Sequence, residues 1–549
     1  MPVFLQISVD VRMSNKEINI ITDTFGNKLY TTYYPGNSDA YTISIIGVMI
    51  FHGMAEDQRS FDLFASKFQR LGMDVFCTDF SGHGRSTGVM PMGENGDSIL
   101  ADQVNKAKMK FQELSHLNDS QIFMIGHSLG ARAILSSQLT ESSPVNGCIL
   151  IGPAVYLDFE FGEDLEDNLS PANPNNNIFI LVGDLEDICP PNYALRLYQK
   201  LTNDTSIDTP ENAIFKTTSG LTRELRILKW LTHTNEAFSI RTVQLSALWI
   251  QEIVLGESHI QTNSSYFAFE DFRVYFSILE IIGIYLLIIY SNKMIKLISE
   301  ENKNEVLINL RLFDSKIINP KKYFSVKIPI LLGGLGISAI IGFLLVLLPI
   351  GTPIFTLLYF CPVTGYGFMM LILYKTNRMP GYEGKWKSRI KESFKSITWI
   401  NVLLGMLFLG SVAFLLAYYF NGYMYNFFPR KTKVLWFFIL LVLSPIGFYV
   451  LQLESEEIKT TFPEKSKYLF INYIIFLLPY IIGSLSVFLF GYFIFIPDAI
   501  NNIILLVIVL LMGNLLQQIW RKPLFTALAQ SFLFFFLLLP RGQLMAFFM

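Results

Sequence analysis

The chain predicts an α/β domain with an eight-stranded, mostly parallel sheet and no large lid, followed by an all-α transmembrane helical bundle. Three observations lead there. The first 260 or so residues alternate short apolar runs with amphipathic stretches, as strands and covering helices of a mostly parallel sheet do. One of those runs ends in Gly126-His127-Ser128-Leu129-Gly130, a Gly-x-Ser-x-Gly pentapeptide at a strand-to-helix turn. From residue 274 onward the chain becomes a series of apolar segments long enough to cross a bilayer.

In chain order, the expected strands are 17–23, 28–34, 43–51, 73–78, 121–125, 147–151, 178–182 and 225–231. The first two pair as a hairpin with Gly26-Asn27 at the turn. Expected helices are 60–71, 99–114, 132–138, 193–201 and 240–254. Residues 154–177 join the sixth and seventh strands. They are acidic and rich in Asn and Pro, which predicts a short open loop there.

The second half contains eight candidate spans, at 274–290, 328–348, 354–374, 400–419, 434–450, 468–490, 503–516 and 524–539. This divides the chain into a domain of residues 1–260, a linker of 261–273 and a polytopic membrane domain of 274–549. Composition agrees. Of the 549 residues, 51% are hydrophobic and 16% charged, against about 25% charged in soluble proteins. Ionisable residues are nearly absent from the spans, Glu280 being the clearest case, so the bundle reads as an anchor or a platform for substrate rather than a second enzyme.

Lysine and arginine number eight between the first two spans and seven between the third and fourth. That bias places these loops in the cytoplasm and, with an even number of spans, the head outside. Residues 1–12 lack a basic leader, so no signal peptide is expected, and a head outside must then cross without one. The net charge of −2 gives no argument for a nucleic-acid partner. Cys77, Cys148, Cys189 and Cys361 are too few and scattered for a disulfide framework. No residues are spaced as a zinc or iron–sulfur site, so neither a metal nor a cofactor is expected.

Chemistry collects on the loops beyond the carboxyl ends of such strands. A serine hydroxyl needs an imidazole to take its proton, and the imidazole needs a carboxylate to hold its tautomer. Ser128 is the candidate nucleophile. Of the six histidines, His127 belongs to the pentapeptide and is expected to point away from Ser128. His83 sits in a glycine-rich turn, and His52 is expected to shape a loop at the rim. His116 lies past a helix end and His259 in the linker. His233, after the last strand and before a helix, is therefore the expected general base.

The acid comes from the loop Gly183-Asp184-Leu185-Glu186-Asp187. Either Glu186 or Asp187 can orient an imidazole. Asp187 is narrowly preferred, because a shorter carboxylate loses less side-chain freedom when fixed. The backbone N–H groups of Leu129, which opens the helix after the serine, and of Met54, after the His52-Gly53 turn, are the expected oxyanion donors.

These residues resemble the α/β-hydrolase superfamily, and within it the monoacylglycerol-lipase and serine-aminopeptidase S33-like branch, also called lysophospholipase-like. The resemblance is carried by Val48-Met49-Ile50-Phe51-His52-Gly53, by Thr78-Asp79-Phe80-Ser81-Gly82-His83-Gly84-Arg85-Ser86, by the pentapeptide, by the loop from Gly183 to Pro190, and by His233. It implies a serine hydrolase in which Ser128 is acylated by an ester or amide substrate and water then releases the acid; with the membrane half beside it, the expected partners are a small ester or lipid-like substrate and the lipid bilayer. It also places Glu186 at that family's commonest spacing from the glycine, against the preference for Asp187. Acyl transfer from the same acyl-enzyme is the alternative chemistry. A catalytically inactive sensor head on a transport or signalling bundle is the alternative outside enzymology.

Overall fold

The computed structural model describes residues 16–36, 46–256, 316–383, 431–489 and 503–538, less residues 55, 141–142, 157–164, 187, 210–211, 238, 318, 349–352, 377, 462–464, 504–505, 515 and 518–522. They fall into two compact units, one N-terminal and one built from residue 316 onward.

The N-terminal unit is built on a nine-stranded sheet in the order β1-β2-β4-β3-β5-β6-β7-β9-β8. Its strands are β1 Glu17–Thr22, β2 Lys28–Tyr34, β3 Gly47–Phe51, β4 Asp74–Thr78, β5 Ile122–His127, β6 Gly147–Ile151, β7 Asn177–Gly183, β8 Ala213–Lys216 and β9 Thr222–Leu228. β3 through β7 and β9 pair in parallel, while β1, β2 and β8 add on antiparallel at the two edges. The sheet is therefore mixed, with one strand more than the eight expected. The extra strand is β8, a four-residue edge strand too short to stand out as a periodic run. β1 and β2 form the expected hairpin, with Thr22 opposite Lys28.

Alternation along the strands builds a core on each face. Met49, Phe51 and Met124 point to one side, against helices Gly96–Ser115, Leu129–Thr140 and Pro191–Thr202. Val48, Ile50 and Ile125 point to the other, where Phe64, Phe68 and Trp249 come from helices Asp62–Arg70 and Ile240–Leu255. Strands buried on both faces are continuous apolar runs for this reason.

Register sets the level of the functional edge. Phe51 lies opposite both Thr78 and Gly126, His127 opposite Ile151, Ile151 opposite Leu181, and Gly183 opposite Leu228. The carboxyl ends of six strands thus emerge along one edge. The chain leaves β3 toward β4 on one side and returns as β5 on the other, so the direction of winding reverses at β3. A crevice opens at such a switch point, and both Met54 and Ser128 follow the strands that bound it.

The second unit contains helices Pro320–Val346, Ile354–Lys375, Lys431–Leu443, Pro445–Thr461, Lys465–Leu489 and Pro523–Leu538. Among the described residues two helical runs are long and apolar enough to cross a membrane, Pro320–Val346 and Lys433–Ile458. Leu332, Ile340, Phe343 and Leu344 on the first, and Leu435, Phe438 and Val442 on the second, are large apolar side chains left exposed, as lipid-facing residues are. The expected spans 274–290 and 400–419, with Glu280 and both domain boundaries, lie outside the described residues. The unit also holds a two-residue antiparallel pair, Lys316–Ile317 with Tyr382–Glu383, where only helices were expected.

Two charges just outside the expected spans are drawn into the packed unit. Lys327 and Glu454 flank the apolar stretches in sequence, yet both are fully buried and paired at 2.7 Å. Tyr323 and Tyr366 donate to the same carboxylate at 2.7 and 2.8 Å. Lys327 also donates to the amide oxygen of Asn472. The helices run on beyond their apolar centres, which is why charges just outside the apolar windows end up inside the packed unit.

Candidate active site

The serine sits where the pentapeptide spacing requires. β5 ends at His127, the helix Leu129–Thr140 begins one residue after Ser128, and Ser128 adopts φ 51°. A non-glycine residue in that left-handed region carries strain of about 1–3 kcal/mol, which the surroundings must hold in place. The flanking glycines allow the sharp reversal. A Cβ on Gly126 would lie 2.5 Å from the amide nitrogen of Ala131, and one on Gly130 would lie 2.3 Å from the carbonyl oxygen of Phe51. Ser128 N–H donates to the carbonyl of Ile151 at 2.9 Å, which ties the elbow to β6.

His233 opens a single helical turn, His233–Glu236, after β9. Its Nδ1 lies 2.7 Å from Oε2 of Glu186, and both side chains are buried. Glu186 is also held by the N–H groups of Ile188 and Cys189, at 2.8 and 3.0 Å. Burial pushes its carboxyl pKa up, but the charge and hydrogen bond of His233 and these two amides outweigh burial and hold it below the ordinary value. Asp187 lies outside the described residues. Asp184 points elsewhere, accepting from the N–H of Trp230.

Met54 follows the Gly53 turn after β3 and Leu129 opens the helix after the serine, so both expected oxyanion donors follow neighbouring strands. Among the described residues Ser128 Oγ makes no hydrogen bond. With Nδ1 of His233 committed to Glu186, Nε2 is its remaining ring nitrogen.

Three groups not expected to take part lie in the same place. His127 is buried, with Nδ1 3.1 Å from Oε2 of Glu56 and Nε2 3.0 Å from the carbonyl oxygen of His233. Glu56 in turn accepts the Gly53 N–H at 2.7 Å. Glu236 is buried one helical turn from His233 and accepts the Gly183 N–H. A Cβ built on Gly152 would meet Glu236 Oε2 at 2.3 Å, His233 Nδ1 at 3.0 Å and Glu186 Oε2 at 3.2 Å, so three ionisable side chains converge there. Only the spacing hinted at them: Glu56 shares the turn of Met54, and Glu236 stands three residues after His233, on the same helical face.

Ligand atoms of His127, His233 and Glu236 lie within 4.8 Å of one another. His127 and His233 already spend ring nitrogens on the His233 carbonyl and on Glu186. His52, expected at the rim, is instead fully buried. It accepts the Phe80 N–H at Nε2 and donates from Nδ1 to the Gly53 carbonyl at 2.8 Å.

A parallel-centred sheet with a strained serine elbow and a carboxylate-held imidazole at its carboxyl edge is an α/β-hydrolase-like domain. Residues 46–169 match the family described as serine aminopeptidase, S33. Among curated proteins, the chain is 26% identical over 122 residues to a monoglyceride lipase of Rattus norvegicus, covering 22% of this chain and 38% of that protein. It is 30% identical over 116 residues to a monoglyceride lipase homolog of Monkeypox virus, covering 20% and 39%. The matched regions thus span about two fifths of the length of these relatives. Among solved structures it is similar to an esterase from Pyrococcus furiosus, with TM-score 0.33 and 16% identity over 45% of this chain and 93% of that one. An esterase from Exiguobacterium antarcticum gives TM-score 0.32 and 14% identity over 43% and 99%.

Proposed function

We propose that the protein is a membrane-bound serine hydrolase that cleaves carboxylic esters through an acyl-enzyme on Ser128, with monoacylglycerol- or lysophospholipid-like esters as its substrate class. The head is residues 1–260, joined through 261–273 to a multi-pass membrane domain of 274–549 with about eight helices. The lysine and arginine bias of the loops puts the head on the extracytoplasmic side. The observations that carry the reading are the Glu186–His233 hydrogen bond of 2.7 Å and the serine at φ 51° on the strand-to-helix turn after β5.

In this reading Ser128 Oγ attacks the ester carbonyl carbon while Nε2 of His233 takes the hydroxyl proton. That transfer needs hydrogen-bond reach, and in uncomplexed enzymes such bonds are often long and tighten when substrate binds. The negative oxygen of the tetrahedral intermediate accepts from the N–H groups of Met54 and Leu129, donors each worth roughly 10²–10³ in rate. As the carbonyl re-forms, the ester C–O bond breaks and the imidazolium returns its proton to the departing alkoxide. Water then attacks the acyl-enzyme with His233 again as base, and the carboxylic acid leaves as Ser128 regains its proton. Glu186 holds the tautomer and stabilises the imidazolium.

Fluorophosphonate labelling of the purified full-length protein, followed by ester profiling, tests this. Labelling at Ser128 and ester turnover, both lost in Ser128→Ala, are the expected result. A Ser128→Ala protein with wild-type esterase activity would overturn the assignment.

A further inference from the structure

The hydrolase reading leaves His127 without a task, although it is the most enclosed histidine of the cluster. We propose that His127 is a positioning residue that rests on that reading: held as an imidazolium between Glu56 and the backbone carbonyl of His233, it ties the turn carrying Met54 to the segment carrying the base.

The protonation state follows from the partners. Nδ1 faces Oε2 of Glu56 at 3.1 Å and Nε2 faces the carbonyl oxygen of His233 at 3.0 Å. A backbone carbonyl only accepts. The Glu56 oxygen already accepts the Gly53 N–H at 2.7 Å, as an ionised carboxylate does. Both ring nitrogens must therefore donate, and an imidazole does so only when it carries two protons.

The surrounding charge agrees. Glu56 faces the ring from the turn after β3, Glu186 from the loop after β7, and Glu236 from the helical turn after β9, its Oε2 4.0 Å from Nε2. His52 stands next to Glu56, and the ring of His233 is 4.6 Å away, centroid to centroid. Burial pulls the His127 pKa down, but the charge and hydrogen bond of Glu56, the charge of Glu186 and the His233 carbonyl together raise it above the ordinary value. Burial pushes Glu56 up, and His127 with the Gly53 amide brings it below the ordinary value.

The bridge has two consequences. Mechanically, a chain of three hydrogen bonds runs from the Gly53 amide through Glu56 and His127 to His233, so the oxyanion turn and the base share one support. Electrostatically, a fixed positive charge beside the base opposes Glu186 and Glu236, both of which favour its protonated form.

The test is the second-order rate constant for fluorophosphonate labelling of Ser128 from pH 5 to 9, in the full-length protein. Wild type, H127Q, E56Q and the double variant are compared. A rate constant reports the folded molecules present, so differences in yield do not enter. H127Q keeps a donor but loses the charge. Its acid limb is expected to move up by about one pH unit, the effect of losing a unit positive charge roughly 5 Å from the base. E56Q is expected to move the limb the same way, because His127 loses the charge that keeps it protonated. The double variant should shift no further than either single one.

An unmoved limb in both single variants, with only the rate reduced, would mean that His127 merely fills space and would overturn the proposal. If H127Q does not fold, the limb of E56Q decides alone. A wild-type protein that never labels would instead overturn the hydrolase reading itself.

Discussion

Glu186 Oε2 stands 2.7 Å from Nδ1 of His233, with both side chains enclosed at the carboxyl edge of the sheet. The carboxylate is itself fixed by the N–H groups of Ile188 and Cys189, so it presents one oxygen to the ring in a set direction. Changing Glu186 to Gln retains the volume but turns a required acceptor into an amide that favours the wrong imidazole tautomer. We expect kcat to fall by roughly 10⁴, the size of effect seen when a triad carboxylate becomes an amide. Asp187→Asn should stay within a few-fold of wild type. Steady-state ester hydrolysis by the two variants, compared side by side, checks this; the reverse ranking would return the role to Asp187.

Gly130 passes so close to β3 that a Cβ there would lie 2.3 Å from the carbonyl oxygen of Phe51. Gly130→Ala must push the helix off the sheet, an overpacking cost of roughly 1–3 kcal/mol. The displaced helix start carries Leu129, one of the proposed oxyanion donors. A lower unfolding midpoint together with a loss in kcat larger than any change in KM is the expected pair of results. Unchanged kcat in a folded Gly130→Ala protein would separate the elbow's geometry from turnover.

The cluster also sets a pH window for the head's stability. Glu56 and Glu186 are held below their ordinary value of 4.5, so their contribution is present above about that pH and is lost as pH falls through the depressed values. His127 is held above 6.5, so its contribution is full below about that pH and is lost as pH rises through the raised value. The unfolding midpoint of the head should therefore be highest between these limits. H127Q should remove much of the alkaline decline while leaving an acid decline from Glu186. Thermal unfolding followed from pH 3 to 9 measures both arms, and a wild-type midpoint that climbs steadily to pH 9 would contradict the assignment.

In the helical unit, Lys327 and Glu454 form a buried pair at 2.7 Å. Lys327→Met leaves the carboxylate buried without its counter-charge, at a cost of roughly 3–5 kcal/mol. Glu454→Gln in the same chain removes the stranded charge while its amide oxygen, taking the place of Oε1, still accepts from Tyr323. The double variant K327M/E454Q should thus regain most of the loss. Thermal unfolding in detergent of the single and double variants reads this directly, and additive losses would show that the pair is not a unit.

Much of the head is visible in the linear chain because its signals are local. β5 is a continuous apolar run, the pentapeptide marks the reversal after it, and Leu129 opens a helix of small residues. Ser128 and His233 can be named as candidates from type and order alone. β8 could not be seen, since four residues on a sheet edge carry no period of their own. Nor could Glu56 or Glu236, each an unremarkable acid in a polar segment. Their burial depends on where β3, β7 and β9 bring the chain together. Lys327 and Glu454 were hidden for a similar reason, because an apolar window ends at the first charge whereas a packed helix continues past it.

By itself the sequence determined the alternation of strands and helices, the position of the elbow and the apolar character of the second half. All of these follow from periodicity and from steric demands felt within a few residues. Only the tertiary structure decided which carboxylate meets His233, because the choice between neighbouring acids depends on the direction in which the loop after β7 leaves the sheet. It also decided that His127 faces Glu56, more than seventy residues away in the chain, since hydrogen-bond partners are selected by distance in space and by exclusion of water. The same physics made Lys327 and Glu454 a pair: neither charge can be buried at tolerable cost until packing supplies the other.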